Sequence, residues 1–208
     1  MITKGQIIQG LQAVAEAIAE NKDYLTELDA AIGDADHGIN LDRGFQKVLE
    51  QLPTVAERDI GSLFKHVSMT LISSVGGASG PLYGTMFLRA SIATAGKEEL
   101  NAEAMGAILV AFVEAIVLRG KAQLGDKTLL DVLIPTQQAY QSAIAQGSDF
   151  PTAWQTALEA AKTGRDSTIP LVAKKGRASY LGDRACGHLD PGAASAYLIL
   201  KTLFDPNL

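Results

Sequence analysis

The chain holds a single cysteine, Cys186, so no intrachain disulfide can brace it. No run of about 18 apolar residues occurs, so no membrane-spanning helix is expected. Charge of one sign is also scarce: 18 Lys and Arg against 23 Asp and Glu give a formal net charge of −5. A nucleic-acid partner therefore finds no basic footprint. The opening residues, MITKGQIIQG, lack the basic and then apolar pattern of a secretory signal. Neither G-x-x-x-x-G-K-[ST] nor G-x-G-x-x-G is present, which excludes a Walker A loop and a dinucleotide fingerprint. Strand-type alternation is nearly missing. What remains is a cytoplasmic protein of 208 residues, 47% hydrophobic, able to build a sizeable core without disulfides or sheet.

Helical spacing is what the chain has in quantity. Ile7, Leu11, Val14 and Ile18 fall on one helical face. Asp59 can cap a segment whose stripe is Ile60, Leu63, Phe64, Val67 and Leu71. Asn101 opens a strongly apolar helix that stops at Gly120. The stretch TLLDVLIPTQQAYQSAIAQG is another, in which Pro135 should produce a kink or an internal boundary. A further helix spans Asp149 to Thr163, and Asp190 and Pro191 hold the Ncap and N1 places before GAASAYLILKTLF. Seven to nine helices with short connections predict one all-α, antiparallel domain over residues 1–208. The polar residues with chemistry gather in four loops: 29–40, 76–80, 120–128 and 174–192.

The densest of these reads IGDADHGIN, residues 32–40, with Asp29 just upstream. Three carboxylates this close repel unless a positive charge sits among them. Oxygen donors suit Mg²⁺ or Ca²⁺. A calcium EF-hand is excluded, because its twelfth position from Asp34 is Phe45 and not a bidentate Glu. Three aspartates can bridge two Mg²⁺ ions, a common way of neutralising a triphosphate. Spacing alone leaves a solvated loop as the alternative, with Asp34 as a turn or cap residue. An aspartyl-phosphate on the D-x-D turn would need a buried strand before it, and LTELDAA is too polar and too helical for one.

Two other stretches have weaker signals. GGASGP, residues 76–81, suits a helix stop and restart, and its small residues also let backbone N–H groups approach a phosphate. In KKGRASYLGDRACGHLDPGA, Lys174, Lys175 and Arg177 form either a solvated basic face or, through Arg177, a phosphate contact. Cys186, His188 and Asp190 do not make a thiol triad, whose members come from distant positions; Asp190 reads as a helix cap.

Taken together, LDAAIGDADHGINLDRGF, SSVGGASGPLYGT, RGKAQLGDKT and KGRASYLGDRACGHLDPGA resemble the nucleotide-binding L subunit of dihydroxyacetone kinases, nearly end to end. The resemblance implies a barrel of eight antiparallel helices with nucleotide (ADP or ATP) and two Mg²⁺ at one end. It assigns the metals to Asp29, Asp34 and Asp36. His37, Gly38, Ile39, Asn40, Ala78 and Ser79 would line the phosphate and ribose region, and Gly120 and Leu129 the adenine. Arg177, Asp190, Pro191 and Gly192 would close the site. A phosphohistidine carrier (M) subunit would convert bound ADP to ATP, and a K subunit holding dihydroxyacetone would receive the γ-phosphoryl group. Since no substrate domain fits in this length, the chain is expected to act as one subunit. A kinase for another acceptor, such as a fatty acid, and a nucleotide sensor acting on a transcriptional regulator share the same motifs.

Overall fold

Helical periodicity becomes nine α-helices among the described residues, 1–205, of the computed structural model. In order they are α1 (Lys4–Glu20), α2 (Lys22–Ile32), α3 (His37–Gln51), α4 (Ile60–Ser74) and α5 (Ser79–Ala93). Then follow α6 (Ala102–Gly120), α7 (Leu130–Ala145), α8 (Phe150–Ser167) and α9 (Pro191–Leu203). Short 3-10 segments occupy Leu52–Thr54 and Arg177–Ala185. Two strands of two residues each, β1 (Ile2–Thr3) and β2 (Glu99–Leu100), pair antiparallel with Ile2 opposite Leu100.

Nine helices make eight staves. Only Asn21 separates α1 from α2, and both pack between α3 and α9. They therefore form one stave broken at a single residue. From there each helix packs on the next, and α9 returns to α1, closing the ring. The expected all-α antiparallel barrel is the observed one. Because the connections are short, successive staves run in opposite directions. The connections 33–36, 75–78, 121–129 and 168–190 consequently lie at one end. The chain start, the β1–β2 pair and connections 52–59, 94–101 and 146–149 lie at the other.

Pro135 does not divide α7. The helix continues from Leu130 to Ala145 with Pro135 inside it. A proline deprives only the carbonyl four residues back, here that of Asp131. Gly164 of α8 lies against that carbonyl so closely that a Cβ would overlap the oxygen. Close packing of α7 on α8 thus carries the helix through one missing bond. The helix expected to end at Thr163 continues to Ser167, beyond this contact.

The interior is apolar along the whole ring. Phe64, Phe87 and Phe112 stack edgewise from α4 to α6, with ring centroids 5.7 and 5.9 Å apart. Trp154 of α8 meets Tyr140 of α7 at 6.3 Å and Phe204, just past α9, at 5.5 Å. These six aromatics thus sit where staves interlock.

Ring closure depends on a small residue. A Cβ at Gly10 of α1 would overlap the carbonyl oxygen of Leu203, whereas at Gly5 the nearest atom would be 3.7 Å away. Helix propensity favours alanine over glycine by about 1 kcal/mol at both places, so the clash decides the sign. Chemical denaturation should find Gly5→Ala neutral to stabilising by up to about 1 kcal/mol. Gly10→Ala should destabilise by about 1–3 kcal/mol, the usual range for overpacking.

Candidate functional site

Antiparallel staves aim four helix N-termini, those of α3, α5, α7 and α9, at the same end of the barrel. The staves that start at the far end are all capped by side chains. Thr3, Asp59, Asn101 and Asp149 each accept a bond from the backbone N–H three residues on. At the near end the pattern reverses. Asp36, Ala78 and Leu129 provide no side-chain cap to α3, α5 and α7, and only Asp190 caps its helix. The first N–H of α7 donates instead to Thr128 Oγ1 at 3.1 Å, and that of α3 to Asp29 Oδ2. This leaves the start of α5 as the end with no side-chain cap, where partial positive charge and N–H donors suit an anion.

Between these ends lies a cavity of about 600 Å³. All four near-end connections line it. Of the residues singled out from the sequence, it brings together Asp29, Asp34, Asp36, His37, Ala78, Ser79, Gly120, Leu129, Arg177, Asp190, Pro191 and Gly192. Gly38, Ile39 and Asn40 stand outside the lining. Gly38 lies where α3 crosses α2, with the Lys22 carbonyl oxygen in the space a Cβ would take. Ile39 faces solvent. Asn40 accepts from Arg43 Nη2 at 2.6 Å, while Arg43 Nε donates to the Ser74 carbonyl at 2.9 Å, bracing the end of α4.

One oxygen each from Asp29, Asp34 and Asp36 lies within 4.8 Å of the others. Asp29, at the end of α2, is buried. Its Oδ2 accepts from the backbone N–H groups of Asp36 at 2.9 Å and His37 at 3.2 Å, taking over the capping of α3. A Cβ at Gly33 would fall on the other oxygen, Oδ1. Between them Ala35 has φ of 61°, in the left-handed region, which costs a residue with a Cβ about 1–2 kcal/mol. The one cation paired with the cluster among the described residues arrives from the fourth connection: Arg177 Nε is 2.7 Å from Asp34 Oδ2. Three carboxylates against one guanidinium leave a net negative pocket of hard oxygen donors, which fits Mg²⁺.

Behind the carboxylates runs a chain of neutral hydrogen bonds. Ser79 Oγ lies 3.1 Å from His37 Nδ1, His37 Nε2 2.9 Å from Ser195 Oγ, and Tyr83 OH 2.6 Å from Ser195 Oγ. Burial pushes the His37 imidazole below its ordinary pKa, against the opposing pull of Asp29 and Asp36, so it stays neutral. Burial raises the Tyr83 phenol and keeps it protonated. The chain ties the starts of α3 and α5 to α9. Neither Tyr83 nor Ser195 is legible from sequence as part of a site, since Ser195 reads as one small residue in a core helix.

Residues 31–205 match the DAK2 domain. The chain belongs to the DAK2 family. It is 44% identical over 202 residues to the PEP-dependent dihydroxyacetone kinase ADP-binding subunit DhaL of Escherichia coli (strain K12), covering 97% of this chain and 96% of that one. To the PTS-dependent dihydroxyacetone kinase ADP-binding subunit DhaL of Lactococcus lactis it is 40% identical, over 99% and 98% of the two chains. In structure, it resembles the dihydroxyacetone kinase of C. freundii solved with AMP-PNP and Mg²⁺, with a TM-score of 0.68 and 24% identity. That likeness concerns the fold; the match covers 95% of this chain and 33% of that kinase.

In this DAK2 chain the cap of α9 has a titration of its own. Asp190 Oδ2 accepts from the Ala193 N–H at 2.7 Å. Burial nevertheless pushes its carboxyl up to about 7, helped by Asp131 and Asp29 and opposed by the Ala193 bond and Lys127. Between about pH 4 and 7 the folded protein then holds a proton that the unfolded chain has released, so this contribution is greatest at low pH and is lost as pH rises through about 7. Urea unfolding of the metal- and nucleotide-free protein should show the wild type losing about 2 kcal/mol relative to Asp190→Asn between pH 5 and 8. Parallel pH profiles for the two proteins would exclude the shift.

Proposed function

We propose that the chain is the ADP-binding subunit of a dihydroxyacetone kinase, a phosphotransferase component acting on an alcohol group. The observation that carries the reading is the joint one of identity and site. Identity is 40–44% to separate ADP-binding subunits along nearly their whole length and 29–31% to longer kinases of dihydroxyacetone or erythrulose. The four motifs shared with that family meet around one cavity large enough for a nucleotide.

Asp29, Asp34 and Asp36 would hold two Mg²⁺ ions, whose chemistry there is to neutralise the polyphosphate. The protein's own residues supply position and polarity. Asp29 is immobilised by two backbone donors, so it presents Oδ1 at a fixed place. Ser79 and the uncapped start of α5 offer donors to phosphate oxygens. Arg177, paired with Asp34, can turn to an anion at little cost, because an exposed ion pair is worth only about 0–1 kcal/mol. Gly120 and Leu129 line the cavity and would border the adenine. Catalysis is then positioning and charge neutralisation, with no covalent intermediate on this chain.

In this reading the nucleotide stays bound as a coenzyme. A phosphohistidine carrier protein in the cytoplasm rephosphorylates ADP, and a K subunit presents dihydroxyacetone to the γ-phosphoryl group. The "PEP-dependent" and "PTS-dependent" names of the relatives support that source of phosphoryl groups.

Asp36→Asn keeps the size of the side chain and removes one of three charges. Titration calorimetry in saturating Mg²⁺ should show ADP affinity reduced more than tenfold, a loss above about 1.4 kcal/mol. Unchanged affinity would make the carboxylate cluster structural.

Turnover separates a coenzyme from an exchanging substrate. Mixed with a K subunit, dihydroxyacetone and excess free ATP but no carrier, the protein should give a burst of about one product per site and then a plateau, since tightly held ADP leaves slowly. Steady turnover under these conditions would contradict the coenzyme reading.

A further inference from the structure

Connection 168–190 is the longest in the barrel, and its Gly176, Arg177 and Ala178 form part of the cavity wall. Apart from Arg177 it touches the acidic corner through a small apolar contact, in which Ala173, Ala178 and Ala185 pack with Ile32 at the end of α2. Its two ends meet at a narrow neck. There the Gly187 N–H donates to the Ile169 carbonyl at 2.8 Å, and the Asp190 N–H to Thr168 Oγ1 at 3.1 Å.

Into this neck runs a side chain from a different connection. Lys127 is 1% exposed. Its Nζ donates to the carbonyls of Thr168 at 2.7 Å, His188 at 2.5 Å and Ile169 at 3.4 Å. Two of these acceptors are at the start of the segment and one at its end. All are neutral carbonyls, and the three ammonium hydrogens are fully used on them. Such an arrangement is expensive. A buried ammonium pays desolvation, which depresses the pKa of Lys127 here, while Asp190 and Cys186 pull the other way.

The backbone adds to the cost. Lys127 has φ of 63°, and a residue with a Cβ is uncommon there. The surroundings hold it in place. Asp131 accepts from the N–H groups of Gly125 at 2.6 Å and Thr128 at 2.7 Å, and the Asp126 carbonyl accepts from the Lys174 N–H at 3.1 Å. Strain maintained by so many bonds points to a purpose. A lysine fastened only for stability would serve as well on one carbonyl at a helix end, without joining both ends of a cavity wall.

We infer that Lys127 is a positioning residue: its ammonium clamps the neck of segment 168–190 shut against connection 121–129, and this closure slows release of the nucleotide. The clamp acts through Arg177 and the α9 cap, which it holds in register with the carboxylates and the start of α5. The second half of the inference rests on the proposed nucleotide function; the first half does not.

The test compares Lys127→Met, which keeps the aliphatic stem, with Lys127→Arg, which keeps charge and donors. Amide hydrogen exchange is read at Gly187 and Asp190 in the nucleotide-free protein, and release of methylanthraniloyl-ADP is timed in the presence of Mg²⁺. Lys127→Met should speed exchange at the neck at least tenfold while α4 and α5 keep their protection, and should speed release by a similar factor. Lys127→Arg should recover most of both. Unchanged neck exchange in Lys127→Met overturns the clamp, and faster exchange with unchanged release overturns its link to the nucleotide. If the Met variant does not fold, the wild type decides: neck amides exchanging as fast as those of the exposed Tyr180, Asp183 and Arg184 overturn the clamp, and slower ones support it. A wild type that binds no methylanthraniloyl-ADP refutes the proposed function and leaves neck exchange to judge the clamp.

Discussion

Alternation of helix direction is the constraint on which the rest of the structure depends. Eight staves joined mostly by short connections alternate, so four helix N-termini share each end, with four connections at the near end and three, plus the chain start, at the far end. The two ends are then treated differently by side-chain choice alone. At the far end Thr3, Asp59, Asn101 and Asp149 satisfy the helix starts, each cap being worth about 1 kcal/mol. At the near end only Asp190 caps from the Ncap position; Asp29 and Thr128 bond the starts of α3 and α7 from elsewhere, and the start of α5 has no side-chain cap. The barrel can tolerate this because an apolar interior runs unbroken from stave to stave. Stability is concentrated in the walls and the far end, and the near end is left with donors unspent.

Into that field of positive helix ends the chain puts its most crowded carboxylates. The arrangement is mutually supporting. Asp29 replaces the missing cap of α3, and in doing so is oriented with its free oxygen toward Asp34 and Asp36. Gly33 clears the space for that oxygen, and the strained Ala35 turns the loop back on itself. Like-charge repulsion among the three is relieved partly by the start of α3 and partly by Arg177. Both reliefs are modest, on the order of 1 kcal/mol each, so a divalent cation remains the strongest partner available.

The residues that hold the longer connections follow another logic. Their charges are buried rather than crowded. Lys127, Asp131 and Asp190 are each buried; the first two hold backbone groups of the connections and Asp190 the first turn of α9, instead of pairing directly with one another. These residues shape the loops. The acidic cluster and these buried polar residues therefore divide the work of binding charge and holding geometry.

Periodicity by itself determined the all-α class, most helix starts and the four loops where chemistry gathers, because amphipathic spacing and caps are local properties of the chain. The Asp29, Asp34 and Asp36 cluster was legible for the same reason: its members lie within eight positions. Pro135 makes no internal boundary, and Gly164, which lets α8 pack against the carbonyl it deprives, is far away in sequence. Only the tertiary structure decided that Arg177 answers Asp34, that Ser195 and Tyr83 reach His37, and that Lys127 fastens both ends of segment 168–190. It also put Ile39 in solvent although it belongs to the motif, and carried Arg43, bonded to Asn40, onto the end of α4. Each of these depends on which staves become neighbours when the ring closes and on which way a side chain then points, and no local pattern encodes either.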